Sequence, residues 1–202
     1  MGMLRSHLAR ASIDVGPDLL GCVLAHETGA GTVKVAVTEV EAYAGESDPA
    51  SHAFKGETPR NSVMFGKAGH VYVYLSYGLH ICANVVTGEE GQASAVLFRA
   101  GRVIEGVDLA GQRRGERVDY PGLARGPACL TQALGIALTH NGRDLLDRGS
   151  LRLEVGERID SADIETGPRV GVSLAHDVPW RFWIRGDDTV STYKRSPRAA
   201  TS

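Results

Sequence analysis

Lysine is scarce in this chain: 18 arginines stand against four lysines in 202 residues. Cysteine is scarce too. Cys22, Cys82 and Cys129 are odd in number and far apart, which excludes a disulfide framework, and no Cys/His group has the spacing of a zinc site. A reduced, cytoplasmic setting without a structural metal or cofactor is expected. No apolar run approaches the ~18 residues that span a bilayer, and the N-terminus lacks a signal peptide's apolar core. No membrane association is therefore expected. Positive charge is not in excess, with a formal net charge of −2. That excludes a globally basic binder of nucleic acid but not a local patch of arginine, whose planar fork suits phosphate and carboxylate. Internal repeats and coiled-coil heptads are absent. What remains, 43% hydrophobic and 23% charged residues, is the composition of one soluble domain with a sizeable core.

The order of patterns predicts an α+β fold: a single domain over residues 1–193, followed by a disordered polar tail over 194–202. Residues 1–15 read as a short helical lead-in stopped by Gly16-Pro17-Asp18. "LLGCVLAHE" and "VKVAVTEVEAY" form a hairpin across the turn "TGAGT". Residues 44–69 are a polar, Gly- and Pro-rich loop far longer than the usual ~4–6-residue connection, and loops of that length are often functional. "HVYVYLSYGLHICANVV" is a second hairpin with Tyr77-Gly78 at its tip. "ASAVLFRA" is a strand ending at Arg99, residues 101–114 read as helical, and "RGPACLTQALGIA" opens a helix with Gly126 as cap and Pro127 in its first turn. "LRLEVG", "PRVGVSLA" and "WRFWIRG" are read as further strands.

Candidate chemistry begins on the first hairpin. A period of two places Val33, Val35 and Val37 on one face and continues that face with Glu39, Glu41 and Tyr43. Carboxylates beside an aromatic, running into a long loop, make a cleft edge where one can act as a general base. An emerging, solvated strand end explains the same pattern equally well. Tyr72 and Tyr74 share a face and serve either cross-strand packing or the stacking of a flat ligand. Tyr77 has little to bury against at a hairpin tip; it folds back, serves a protein contact, or acts as a wedge between bases. Asn84 interrupts an apolar strand and needs hydrogen-bond partners. Arg99 can pair with a carboxylate such as Glu41. His52 sits in the loop, where an ordinary surface role is the commoner one.

Five blocks, taken in order, resemble the alkyladenine (3-methyladenine) DNA glycosylase family in its bacterial type: "TEVEAYAGESDPASHAFKGETPRN", "MFGKAGHVYVYLSYGLHICANVV", "LFRAGRVIEG", "LARGPACLTQALGI" and "PRVGVSLA" with "WRFWIRG". The resemblance implies a mostly antiparallel, curved, mixed sheet with surrounding helices and a protruding hairpin that inserts into DNA. Carried over by position, Glu41 activates the attacking water, while Arg99 and the backbone carbonyl of Val170 hold it. Tyr43, His52 and Tyr74 enclose the flipped base. Asn84 crowds the 2-amino group of unmodified guanine. Tyr77 intercalates, with Leu79 beside it as an apolar wedge. Glu39 falls back to a supporting carboxylate. Arg60, Lys67, Arg102 and Arg125 are candidates for the DNA backbone.

The implied activity is hydrolysis of the N-glycosidic bond of alkylated purines in double-stranded DNA, with no metal, leaving an abasic site. The protein is expected to act as a cytoplasmic, nucleoid-associated monomer. Strand cleavage needs an amine nucleophile, and none of Lys34, Lys55, Lys67 and Lys194 matches a catalytic position, so a monofunctional enzyme is expected. Two other readings compete. A non-catalytic nucleic-acid-binding module has no need of Glu41, and a hydrolase of free nucleosides has no need of the Tyr77 wedge.

Overall fold

The computed structural model describes residues 4–115 and 117–199. It opens with two short helices, α1 (Arg5–Leu8) and α2 (Ser12–Asp18). The predicted first hairpin follows as β1 (Val23–Thr28) and β2 (Gly31–Tyr43). The predicted second hairpin is β3 (Val71–Ser76) and β4 (His80–Val86). Next come β5 (Ala95–Glu105), α3 (Val107–Arg114) and α4 (Pro127–Leu134). The chain closes with β6 (Leu151–Glu154), β7 (Ile164–Gly167) and β8 (Arg181–Ile184). Among the described residues the eight strands form one sheet and every pairing is antiparallel. The order is β3-β4-β5-β2-β1-β6, with β8 beside the end of β2 and β7 outside β8. This is the expected α+β architecture. No helix among the described residues is long and apolar enough to cross a membrane.

The main core joins one face of the sheet to helices α2 and α4. Val33, Val35, Val37, Val85, Val96 and Phe98 meet Val15, Leu19, Leu130 and Leu134 there. Each large apolar side chain so buried is worth roughly 1.5–3 kcal/mol. A second, smaller cluster, Ala53, Met64, Tyr72, Val86, Ala93 and Ala95, lies under the long loop. It fixes residues 44–69 to the sheet, so this loop carries its own anchor.

The period-two reading of β2 needs one correction, and it decides the site. Between Val37 and Glu39, β2 advances two residues while β5 advances one, from Gly101 to Ala100. At the next step β5 advances two while β2 advances one, from Glu39 to Val40. Thr38 and then Arg99 are therefore extra residues in a bulged stretch, a device that re-aims side chains. Gly101 permits the close approach there, since a Cβ would stand 2.4 Å from Val35 Cγ1. The core face continues through Val40 and Ala42, and Glu39, Glu41 and Tyr43 turn to the opposite face. The strand never places carboxylates among its valines.

Other boundaries also differ from expectation. β5 runs past Arg99 to Glu105, because the 13-residue β2 offers it a partner that far, and the helix starts only at Val107. Helix α2 runs through Pro17, which forfeits a single bond near the end of one short helix. "PRVGVSLA" is not a strand. Pro168 has no N–H, that of Val170 donates to the Glu41 carboxylate, and that of Gly171 to the Lys194 carbonyl. β7, just before it, pairs with β8 instead. The tail expected from Lys194 onward makes contacts as far as 199: Lys194 accepts from Gly171 at 3.0 Å and Ser196 is buried. Residues 200–202 lie outside the described residues.

Glu39 ties the sheet to this C-terminal segment. Its Oε1 accepts from Arg99 Nε at 2.9 Å, Arg181 Nε at 2.6 Å and Ser191 Oγ at 2.9 Å, and its Oε2 accepts from Ser191 N–H at 2.7 Å. The carboxylate is wholly buried. Replacing Glu39 by Gln leaves buried guanidinium charge uncompensated and is expected to lower stability by about 3–5 kcal/mol. Urea denaturation checks this, and an unchanged midpoint would remove Glu39 from that role.

Candidate active site

Paired residues of an antiparallel sheet point to the same side. One such row crosses the face opposite the core: Tyr72 of β3 opposes Asn84 of β4, Asn84 opposes Leu97 of β5, Leu97 opposes Glu41 of β2, and Glu41 opposes Arg181 of β8. The first four floor a cavity of about 850 Å³. Its walls come from the long loop, from residues 170–173 and from the start of α4.

Glu41 is 0% exposed at this floor, and both its oxygens accept hydrogen bonds while Oε2, with one partner, keeps a lone pair. Oε1 accepts from the Val170 N–H at 2.6 Å and lies 3.3 Å from Arg99 Nη1; Oε2 accepts from the Tyr43 hydroxyl at 2.8 Å. Arg99 bridges the two glutamates. Burial alone lowers its pKa, but Glu41 and Glu39 outweigh burial and raise it, so the guanidinium stays charged. Burial, then the charge of Glu41, raises the Tyr43 pKa well above its ordinary value. Tyr43 therefore stays a hydrogen-bond donor.

The aromatic wall is continuous. Tyr72 and Tyr74 stack at 5.4 Å between ring centroids, and His52 meets Tyr74 edge-on at 4.5 Å. His52 Nδ1 lies 3.2 Å from the Tyr72 hydroxyl. Burial, then the charge of Arg60, lowers the His52 pKa, which favours a neutral imidazole. Asn61 places this loop: its Nδ2 donates to the carbonyls of His52 and Gly56, and its Oδ1 accepts from Thr58. Asn84 Nδ2 donates to the Tyr72 carbonyl at 3.1 Å, which fixes the amide at the cavity floor.

The second hairpin carries its tip past the cavity mouth. Tyr77 is 85% exposed and Leu79 is 79% exposed. The turn closes with Leu79 N–H donating to the Ser76 carbonyl, and both central residues, Tyr77 (φ 50°) and Gly78 (φ 72°), have positive φ. Gly accepts this freely; Tyr does so at a cost of about 1–3 kcal/mol. A bulky apolar residue is thus held in solvent in a strained conformation.

Of the residues expected to act, Glu41, Tyr43, His52, Tyr74, Tyr77, Asn84, Arg99 and Val170 all line this one cavity. Arg60 lines it as well and donates to the Leu75 carbonyl, bracing the hairpin. Leu79, Lys67, Arg102 and Arg125 do not line it. Arg102 pairs with Asp187 at 3.2 Å, and Arg125 donates to the Asp188 carbonyl. Both are engaged within the protein. Sequence reading missed Asn61, Asp48, Arg169, Arg181 and Ser191, which act through folded contacts, and also Cys82 and Lys194, which line the cavity. Among the described residues no three His, Cys, Asp or Glu side chains are grouped to hold a metal ion.

Comparison with known proteins identifies a family. The methylpurine-DNA glycosylase family matches residues 6–188. The chain is 50% identical to the "Putative 3-methyladenine DNA glycosylase" of Streptomyces avermitilis, over 97% of this chain and 94% of that one. It is 47% identical to a protein of the same name from Leifsonia xyli subsp. xyli, over 96% and 93% of the two chains. For that of Nocardia farcinica the identity is 50%, over 90% and 86%. The family match spans the whole sheet and the hairpin, and on it the chain belongs to the methylpurine-DNA glycosylase family.

Proposed function

We propose that this protein excises alkylated purines such as 3-methyladenine and 7-methylguanine from duplex DNA, as a monofunctional, metal-independent, monomeric glycosylase acting on the chromosome in the cytoplasm. One observation carries the reading: a fully buried carboxylate, Glu41, sits on the floor of a cavity whose mouth holds the exposed, strained Tyr77. A carboxylate so placed serves chemistry on a nucleotide that has left the stack, and Tyr77 fills the space it vacates.

In this mechanism the flipped nucleotide enters between Tyr43, His52 and Tyr74. Aromatic faces attract the positive charge of an alkylated purine. Asn84 crowds the 2-amino group of guanine, a penalty that weighs against the unmodified base and that 7-methylguanine offsets by its positive charge and its labile bond to the sugar. A water held by Glu41, Arg99 and the Val170 carbonyl attacks C1′ as the base departs. Glu41 takes the water's proton, and its charge stabilises the oxocarbenium-like sugar. The product is an abasic site.

Glu41→Gln is expected to lower base release from a 7-methylguanine duplex in EDTA by about 10²-fold or more, the usual scale of general-base catalysis. Retained activity would remove Glu41 as the base, and release only from free nucleosides would favour a nucleoside hydrolase. Borohydride should trap no covalent complex with abasic DNA. A trapped complex lost in Lys194→Ala would overturn the monofunctional reading, since Lys194 lines the cavity.

The strained turn makes a separate prediction. Asn tolerates positive φ, so Tyr77→Asn should keep or raise stability, by up to about 1 kcal/mol, while lowering excision more in duplex than in single-stranded DNA. Thermal unfolding and paired excision assays check both parts. Equal loss on the two substrates contradicts the wedge.

A further inference from the structure

Arg169 is among the largest fully buried side chains, at 1% exposure. A guanidinium is tolerated there only if it is paired. Its Nη1 donates to Asp48 Oδ2 and, at 3.0 Å, to the Ala42 carbonyl; its Nη2 donates to Asp48 Oδ1 at 2.9 Å. Asp48 is equally buried. The guanidinium carbon lies 4.7 Å from the centroid of the Tyr43 ring and 5.1 Å from that of Trp180.

These contacts meet where the site is assembled. Ala42 stands between Glu41 and Tyr43. Asp48 opens the loop that leads to His52. Arg169 precedes Val170, whose N–H donates to Glu41 at 2.6 Å. Two anchors one residue apart thus cross between the same two stretches of chain: the Arg169 side chain to the Ala42 carbonyl, and the Val170 N–H to the Glu41 carboxylate. Residues 168–175 are not part of any strand, so anchors of this kind set their place against β2.

We propose that Arg169 is a positioning residue for the reaction. Its guanidinium is clamped by Asp48 and the Ala42 carbonyl and flanked by two aromatic rings. It fixes the Val170 backbone against Glu41 and backs the Tyr43 wall. Lysine retains the charge but can neither fork onto Asp48 nor stack, so Arg169→Lys isolates geometry from charge. The catalytic half of this inference rests on the proposed glycosylase activity; the structural half does not.

Two readouts separate them. In substrate-free protein, the Val170 amide proton, deshielded by its short bond to Glu41, should move upfield in Arg169→Lys. In single turnover on a 7-methylguanine duplex, the rate per folded molecule should fall about 10- to 100-fold, as expected of a small misplacement, with DNA affinity held within about threefold. Trp180→Leu, which removes one flanking ring and leaves the ion pair, should shift the same amide less and cost less rate; it stands in if Arg169→Lys does not fold. An unmoved Val170 amide with an unchanged rate overturns the proposal, as does a loss confined to DNA affinity. A parent protein that excises nothing defeats the glycosylase reading, and the amide shift then still decides whether Arg169 positions Val170.

Discussion

The fold is organised around charge that cannot be left unpaired. Glu39 and Glu41 are completely buried, and Arg99 and Arg181 nearly so. Buried carboxylates persist only with hydrogen-bonded partners of opposite sign. Glu39 takes Arg181 and one edge of Arg99, leaving Arg99 Nη1 for Glu41. Arg99 is drawn from both sides, and Glu41 meets a guanidinium whose position is already fixed. The supporting carboxylate, the bulge that turns both glutamates from the core, and the C-terminal segment that delivers Ser191 are parts of one arrangement. Its outcome is a carboxylate aimed at a cavity.

A second constraint lies at the other end of the site. The hairpin tip holds an exposed tyrosine at positive φ, against both the hydrophobic effect and backbone sterics. Strain of this kind persists where the surroundings impose it, and here they do: β3 and β4 pair in register up to Ser76 and His80, and Arg60 holds the Leu75 carbonyl. The rigid floor and the projecting tip share a sheet, so the distance between Glu41 and Tyr77 is built into the strand pairing.

Much of this was legible in the sequence. Both hairpins, the Tyr77-Gly78 tip, the long loop and the α4 start follow from period, turn residues and caps. Glu41, Tyr43, Tyr74, Asn84 and Arg99 stood out as polar or aromatic residues in apolar runs, and the ordered family blocks singled out Glu41 over Glu39. The rest was hidden for identifiable reasons. A period-two count cannot see a bulge, so it put Glu39 and Glu41 on the wrong face. "PRVGVSLA" has a strand's composition, but the N–H groups of Val170 and Gly171 go to Glu41 and Lys194. Arg169 and Asp48 lie far apart in the chain, and nothing local announces that they meet. The partners of Arg102 and Arg125, Asp187 and Asp188, come from a distant segment that no local pattern connects to them.

The central claim is that Glu41 serves the chemical step and not the holding of DNA. The most direct measurement is the equilibrium affinity of Glu41→Gln for a duplex carrying a single 7-methylguanine, relative to the same duplex undamaged. The account predicts that the variant keeps the parent's preference for the damaged duplex, because the Tyr77 tip and the aromatic wall that attracts the cationic base are untouched. Loss of that preference, with Glu41→Gln binding both duplexes alike, would contradict it and make Glu41 part of lesion recognition.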